Sequence, residues 1–266
     1  MNTLSVAGVM ITTVCDVYDF GITLESDKSY NDTLNRLYKF VKRENGLADK
    51  NTEEACRVWT GVFGAAVIAD LWDPPRDEYW DLSGLTSLFL WLQSNDTVPV
   101  VDQLPDTRWK DKIGQLLRCI LGHGAFTDSQ RPPAHCGLVP RSSQNGDIIC
   151  VILGCNMPMV LRPHGNGRFT LVGQCFVSHI PFGDAVLGPF SDITQAYIRT
   201  EANACNLFVF KNNDTGTVAV ADPRLERFPG FEEYREELRD NPWRKFKIHP
   251  QLLRDEGVNI QYFNIV

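Results

Sequence analysis

The chain has 266 residues, of which 43% are apolar and 22% are charged, and this composition is typical of a folded globular protein rather than of a disordered one. Its formal net charge of -7 argues against general binding to nucleic acid or to an anionic membrane, because such binding needs clustered Lys and Arg. The longest apolar run, near 62–71, is well short of the roughly 20 residues that a membrane-spanning helix needs. We therefore expect no nucleic-acid partner and no membrane partner.

The first half of the sequence is expected to be mainly helical after an N-terminal strand. Residues 4–15 are apolar and rich in β-branched side chains, which predicts a strand. Apolar residues at helical spacing then predict four helices, at 29–43, 52–71, 79–92 and 107–121. Gly122 and Gly124 are expected to end the last of these helices.

From residue 126 onward the pattern changes to short apolar segments that are separated by Gly, Pro, Asn and Asp. These segments predict strands at 148–153, 159–161, 169–172 and 174–178. Asn166-Gly167 is the dipeptide typical of a type I′ hairpin turn. A second hairpin is predicted from 207–210 and 217–221, followed by a helix at 231–239 and a final strand at 258–266.

Together these elements predict an α+β fold, in which a helical N-terminal half packs on a C-terminal antiparallel β-meander or small barrel. Two regions are expected: 1–125, mainly helical with an N-terminal strand, and 126–266, β-rich with a C-terminal helix and strand. We expect the N-terminal strand to pair with the C-terminal sheet, and the two regions could then form one continuous domain.

The eight cysteines are scattered and include no Cys-x-x-Cys pair. Because the N-terminus also lacks the pattern of a secretory signal, we expect reduced thiols in a cytoplasmic protein. Cys150 and Cys175 lie in apolar strand segments, where burial raises the pKa of a thiol. Cys155 follows a glycine in a turn and is the thiol that we expect to be exposed.

A thiol hydrolase is one function that these residues leave open. It would use Cys155 as the nucleophile, His179 or His164 as the base, and Asp184 to orient the base. Such catalysis needs the thiol and the imidazole within hydrogen-bond reach, and closeness in sequence does not establish that contact. Cysteines packed in the core explain the pattern better.

A zinc site would have to use His123, His135, Cys136 and a later cysteine. Structural zinc sites use ligand pairs with a short spacing, whereas His135 and Cys136 are adjacent and do not easily reach one ion. We therefore expect no bound metal. The sequence also lacks a glycine-rich phosphate-binding motif, so no cofactor is expected.

The segment 146–184 is the part of the chain that is richest in strand and turn signals. Asp147 lies at a turn just before one predicted strand, and Arg162 ends the strand expected to pair with it. An ion pair that locks this hairpin is favoured over ligand binding. The glycines at 146, 154 and 173 would then serve turns or bulges.

This segment resembles the C-terminal part of fungal heterokaryon-incompatibility (HET) proteins. The resemblance rests on Gly146-Asp147, Gly154, Pro158, Leu161-Arg162, Val172-Gly173, Phe176-Val177 and Gly183-Asp184. The end of the chain, 252–266, is the other specific part of the resemblance, and weaker similarity extends to 4–9, 57–63, 126–127 and 137–140. The chain departs from the family at His179-Ile180-Pro181, where Gly-Ile-Met is usual, and at Asp184, where Glu is usual.

The resemblance implies a role in fungal nonself recognition. In the family, a HET domain that resembles a TIR-type α/β fold precedes this region, and this chain starts where that domain would have ended. We therefore expect a non-catalytic interaction or regulatory protein that binds a protein partner, such as a HET-domain protein. The residues expected to contribute to binding are Asp147, Arg162, His179 and Asp184. The alternatives are the thiol hydrolase and a nonfunctional truncated paralogue.

Overall fold

The computed structural model describes residues 3–20, 30–42, 90–95, 97, 120, 122–128, 135–155, 157–177, 183–200, 206–241 and 244–266. In these ranges twelve strands form three sheets, and five helices have both ends described. Residues 90–94 are also helical.

Five strands form a closed barrel. They are β1 (Leu4–Thr13), β5 (Ile148–Ile152), β6 (Met159–His164), β7 (Arg168–Gln174) and β12 (Gln261–Ile265). Their order around the barrel is β1–β12–β7–β6–β5. β6 is antiparallel to both β5 and β7, whereas β12 runs parallel to β7.

Local sequence explains two features of this barrel. β5 is a continuous apolar run, typical of a strand that is buried on both sides, and four of its five residues are buried. The predicted turn between β6 and β7 is confirmed, since Asn166 and Gly167 have φ of 66° and 70°. Asn and Gly are the residues that adopt this left-handed conformation most readily.

A second sheet has four antiparallel strands. They are β2 (Asp16–Asp19), β3 (His123–Thr127), β4 (Cys136–Pro140) and β8 (Phe176–Val177), in the order β2–β3–β4–β8. Gly137 lies where β4 meets β8, and a Cβ atom there would come within 1.9 Å of the backbone oxygen of Phe176. Only glycine therefore allows the two backbones to approach this closely.

The third sheet consists of β9 (Thr194–Thr200), β10 (Asn206–Asn212) and β11 (Val218–Ala219). The order is β11–β10–β9, and both pairings are antiparallel. β10 and β11 form the hairpin that the sequence predicts, whereas β9 was not predicted.

The helices are α1 (Tyr30–Lys42), α2 (Asp184–Leu187), α3 (Phe231–Asp240), α4 (Pro250–Asp255) and a 3₁₀ helix (Pro223–Arg227). α1 and α3 confirm the helices predicted at 29–43 and 231–239. The 3₁₀ helix begins after Asp222, whose side chain accepts a hydrogen bond from the backbone N–H of Arg224. None of the described helices has the length and apolar character needed to cross a membrane.

The predicted fold class, with a helical N-terminal half, is wrong. In the described ranges strands predominate over helices, the helices are short, and no helical N-terminal half is evident. The helices predicted at 52–71, 79–92 and 107–121 lie wholly or mostly outside the described residues. The expected pairing of the N-terminal strand with the C-terminal sheet is confirmed, because β1 lies beside β12 in the barrel.

The chain divides into two compact units, and neither is a continuous stretch of sequence. The first contains 1–5, 10–179 and 263–266, and the second contains 6–9 and 180–262. The two regions expected from the sequence, 1–125 and 126–266, stay a prediction.

Candidate functional site

Asp147 and Arg162 form the ion pair that the sequence predicts. Nε of Arg162 donates to Oδ1 of Asp147 at 2.9 Å, and Nη2 donates to Oδ2 at 2.9 Å. The Asp147 side chain is only 1% exposed, whereas that of Arg162 is 28% exposed. Since a buried carboxylate without partners is strongly disfavoured, this bidentate contact offsets the loss of its hydration. The hydrogen bond to Asp147 also raises the pKa of Arg162 above its usual value.

The backbone around Asp147 fixes this pair in place. The N–H of Gln144 donates to Oδ2 of Asp147 at 2.9 Å, and the N–H of Asp147 donates to the carbonyl of Gln144 at 3.1 Å. The N–H of Val14, just after β1, donates to the carbonyl of Asp147 at 2.8 Å. Arg162 also donates to the carbonyl of Ser142. The pair therefore joins β6 to the loop before β5 and to the end of β1.

Arg162 belongs to one side of three neighbouring barrel strands, which we call the β6–β7–β12 face. Arg162 lies opposite Thr170, and Arg168 lies opposite both His164 and Asn264. Alternate residues of a strand share a side, so this register places a set of residues on the same side. The face consists of Arg162, His164, Arg168, Thr170, Asn264 and Val266. All of them are exposed or partly exposed.

The β6–β7–β12 face carries positive charge on a chain whose net charge is negative. Arg168 is exposed, and no ion pair joins it to another residue in the described ranges. Nε2 of His164 lies 2.5 Å from Oγ1 of Thr170, which holds that imidazole against the strand. Val266 is 40% exposed and adds an apolar contact surface. Guanidinium groups beside exposed apolar surface can bind a carboxylate of another protein.

Asp184 lies in α2, which belongs to the second compact unit. Its Oδ1 accepts a hydrogen bond from Nη1 of Arg224, whose Nη2 pairs with Oδ2 of Asp222 at 2.7 Å. The Arg224 guanidinium also donates to the carbonyl of Gly188 and lies 3.6 Å from the centroid of the Phe190 ring. Asp184 is thus held in an ion-pair cluster.

His179, the remaining residue predicted to bind, lies outside the described residues. The proposed pairing of Cys155 with His179 therefore stays a prediction. The burial states of the thiols are as expected: Cys150 and Cys175 are 0% exposed, and Cys155 is exposed. Burial raises the pKa of Cys150 to about 12 and also raises the pKa of Cys175. These two thiols are poor nucleophiles because the thiolate is the reactive form.

The zinc candidates do not assemble into a site in the described part of the chain, where no group of three or more His, Cys, Asp or Glu could hold a metal ion. His135 instead contacts Asp128 through its backbone, since its N–H donates to Oδ1 of Asp128 at 2.8 Å. Oγ1 of Thr12 donates to Oδ2 of the same carboxylate. Asp128 therefore joins β1 to the β3–β4 connection.

Sequence reasoning missed Arg168, Arg224 and Asp128. Asp222-Pro223 is a recognisable helix start, which could have marked the local part of the Arg224 cluster. Arg168 directly follows the predicted turn and could have been identified as exposed. The contacts of Asp128 with Thr12 and of Arg224 with Asp184 connect distant parts of the sequence, and no local pattern signals them.

We compared the chain with family models, with curated proteins and with solved structures. No match was found in any of the three comparisons.

Proposed function

We propose that this chain is a non-catalytic interaction or regulatory protein, related to the C-terminal region of HET proteins, that binds a protein partner in fungal nonself recognition. The observation that carries the proposal is the Asp147–Arg162 pair. Both residues belong to the resemblance, and both oxygens of Asp147 accept hydrogen bonds from within the chain. Arg162 remains partly exposed on the β6–β7–β12 face. The shared motif is thus suited to supporting a surface rather than to carrying out a reaction.

The glycines of the motif support the same interpretation. Gly146 and Gly154 have φ of 92° and 93°, in the left-handed region that favours glycine. Gly146 precedes Asp147, and its N–H donates to the carbonyl of Val14 at 2.9 Å. These glycines form the turns that precede and follow β5. Their left-handed backbone conformations serve the fold, which in turn presents the β6–β7–β12 face.

The partner is proposed to contact the β6–β7–β12 face with carboxylates that are flanked by apolar residues. Arg162 and Arg168 would bind the carboxylates, and Val266 would contact the apolar residues. A HET-domain protein is the partner class that the resemblance implies. Because exposed charges are screened by salt, we expect binding to weaken as ionic strength rises.

The test measures binding of the full chain to HET-domain proteins of the same fungus by isothermal titration calorimetry. Arg168→Glu should weaken binding by roughly ten-fold or more, because it places a like charge opposite the partner's carboxylates. Arg239→Glu is the matched control, since Arg239 is an exposed arginine of α3 and this substitution changes the net charge by the same amount. It should leave the affinity within about two-fold, because single surface charges away from an interface have small effects.

Two outcomes would contradict the proposal. The first is equal binding by the two arginine variants and the unaltered chain. The second is an absence of binding together with an absence of any effect on hyphal fusion compatibility when the gene is replaced. The thiol hydrolase with Cys155 and His179 stays a prediction, because His179 lies outside the described residues.

A further inference from the structure

β9 lies at one edge of its sheet. All seven of its residues pair with β10, from Thr194 opposite Asn212 to Thr200 opposite Asn206. In the part of the chain that the structure describes, no strand pairs with the other side of β9. Such an edge presents unpaired backbone N–H and C=O groups to another strand.

The backbone hydrogen bonds show which groups of β9 face away from β10. The N–H of Asn213 donates to the carbonyl of Ile193 at 2.7 Å, so residue 193 bonds toward β10. In an antiparallel pair the bonded residues alternate, and residues 195, 197 and 199 therefore also bond toward β10. The N–H of Asn212 donates to Thr217, on the β11 side, which agrees with this alternation. The backbone groups of Ala196 and Ile198 thus point away from β10.

We propose that β9 pairs antiparallel with β9 of a second copy of this chain, about a two-fold axis at Tyr197. In this register Ala196 lies opposite Ile198 of the second copy, and both have outward-facing backbone groups that can exchange hydrogen bonds. The same register places Thr194 opposite Thr200, and Gln195 opposite Arg199. Tyr197 lies opposite its own counterpart.

The residue types of β9 favour a second copy over an unrelated segment. Thr–Thr and aromatic–aromatic pairs are favourable across antiparallel strands, and like charges directly opposite are unfavourable. β9 has a single charged residue, Arg199, and the two-fold register places it opposite Gln195 rather than opposite another cation. β9 also lacks the Pro and Lys residues that natural proteins use to block edge pairing. The strand is therefore self-complementary at each position, as a two-fold interface requires.

The first test is the mass of the full chain by analytical ultracentrifugation across a wide range of concentration. The unaltered chain should form dimers reversibly. Gln195→Glu should tighten the dimer, because it places a carboxylate opposite Arg199, and Gln195→Lys should weaken it. Since each change acts at symmetry-related pairs, the dissociation constant should shift by roughly two- to thirty-fold in each direction. Gln195 is exposed, so both variants should retain the fold.

A charge swap and hydrogen exchange provide the controls. Gln195→Lys combined with Arg199→Glu should restore the dimer that Gln195→Lys weakens. On dimerisation the amides of Ala196 and Ile198 should become protected, whereas those of Gln195 and Tyr197 are already bonded toward β10 in the monomer. A chain that stays monomeric at every concentration would overturn the proposal. The proposal would also be overturned if Gln195→Glu and Gln195→Lys shifted the monomer–dimer equilibrium in the same direction. The same holds if the amides of Ala196 and Ile198 became protected only when an unrelated peptide was added.

Discussion

The carboxylate of Asp147 and the guanidinium of Arg162 meet in two hydrogen bonds of 2.9 Å across a sequence separation of 15 residues. The two partners differ in burial, since Asp147 is 1% exposed and Arg162 is 28% exposed. Loss of the arginine would therefore leave a buried charge, whereas loss of the carboxylate would leave a guanidinium that water can reach.

We predict that Arg162→Ala lowers the free energy of unfolding by about 2–4 kcal/mol, and that Asp147→Ala lowers it by about 1–3 kcal/mol. The double variant should lose less than the sum of the two, because neither charge is then left without its partner. Urea unfolding followed by circular dichroism measures all three values. Additive losses would show that the two groups are not coupled.

The Arg224 cluster should not tolerate lysine. The guanidinium makes hydrogen bonds to Asp184, Asp222 and the Gly188 carbonyl and stacks on Phe190, and an ammonium group cannot reproduce this planar set of contacts. We expect Arg224→Lys to cost about 1–3 kcal/mol in unfolding experiments. Arg235→Lys, at an exposed position of α3, is the control and should change stability by less than about 0.5 kcal/mol.

Thiol reactivity should separate the cysteines by burial. At neutral pH, iodoacetamide should label Cys155 in the folded protein, whereas Cys150 and Cys175 should react only after unfolding. Mass spectrometry of the labelled peptides gives the result. Rapid labelling of Cys150 without unfolding would contradict its burial.

Alkaline pH should destabilise the fold through Cys150. Burial raises its pKa from 9.0 to about 12, with a smaller contribution from Cys155. The unfolded chain releases the thiol proton at lower pH than the folded chain does. The stability contribution is therefore complete below about pH 9 and is lost as pH rises towards 12. Cys150→Ala should reduce the slope of unfolding free energy against pH in this window, and an unchanged slope would contradict the assignment.

Among the glycines of the described residues, Gly137 should be the one least tolerant of substitution. Gly137→Ala places a Cβ atom within 1.9 Å of the Phe176 carbonyl oxygen, so β4 and β8 must separate. We expect a loss of at least about 2 kcal/mol, as for other overpacked sites. Gly165→Ala is the control, because a Cβ atom there meets nothing within 4 Å, and thermal unfolding should detect little change.

The sequence predicts elements that depend on neighbouring residues better than it predicts contacts between residues that are far apart in the chain. The turn at Asn166-Gly167, the helix α1 and the β10–β11 hairpin each depend on neighbouring residues, and each is found where the pattern predicts it. The Asp147–Arg162 ion pair could be predicted for the same reason, because both residues belong to one hairpin.

Other elements depend on partners that are far away in sequence. The sequence of β9 mixes polar and apolar residues and has no apolar pattern that predicts a strand. It is a strand because it pairs with β10. The parallel placement of β12 beside β7 and the contact of Arg224 with Asp184 also have no local signature. The helical N-terminal half was wrong because strands predominate in the described ranges, and periodicity predicted neither β2 nor β3.

The position of β12 between β1 and β7 has a consequence for folding during synthesis. β1 leaves the ribosome before β7, but the strand that joins the two is made about 250 residues after β1. Until then β1 and β7 each have an unfilled edge, and such edges promote aggregation. Contacts between residues that are this far apart in sequence form slowly during folding. Full protection of the barrel amides should therefore appear only after β12 has been released from the ribosome.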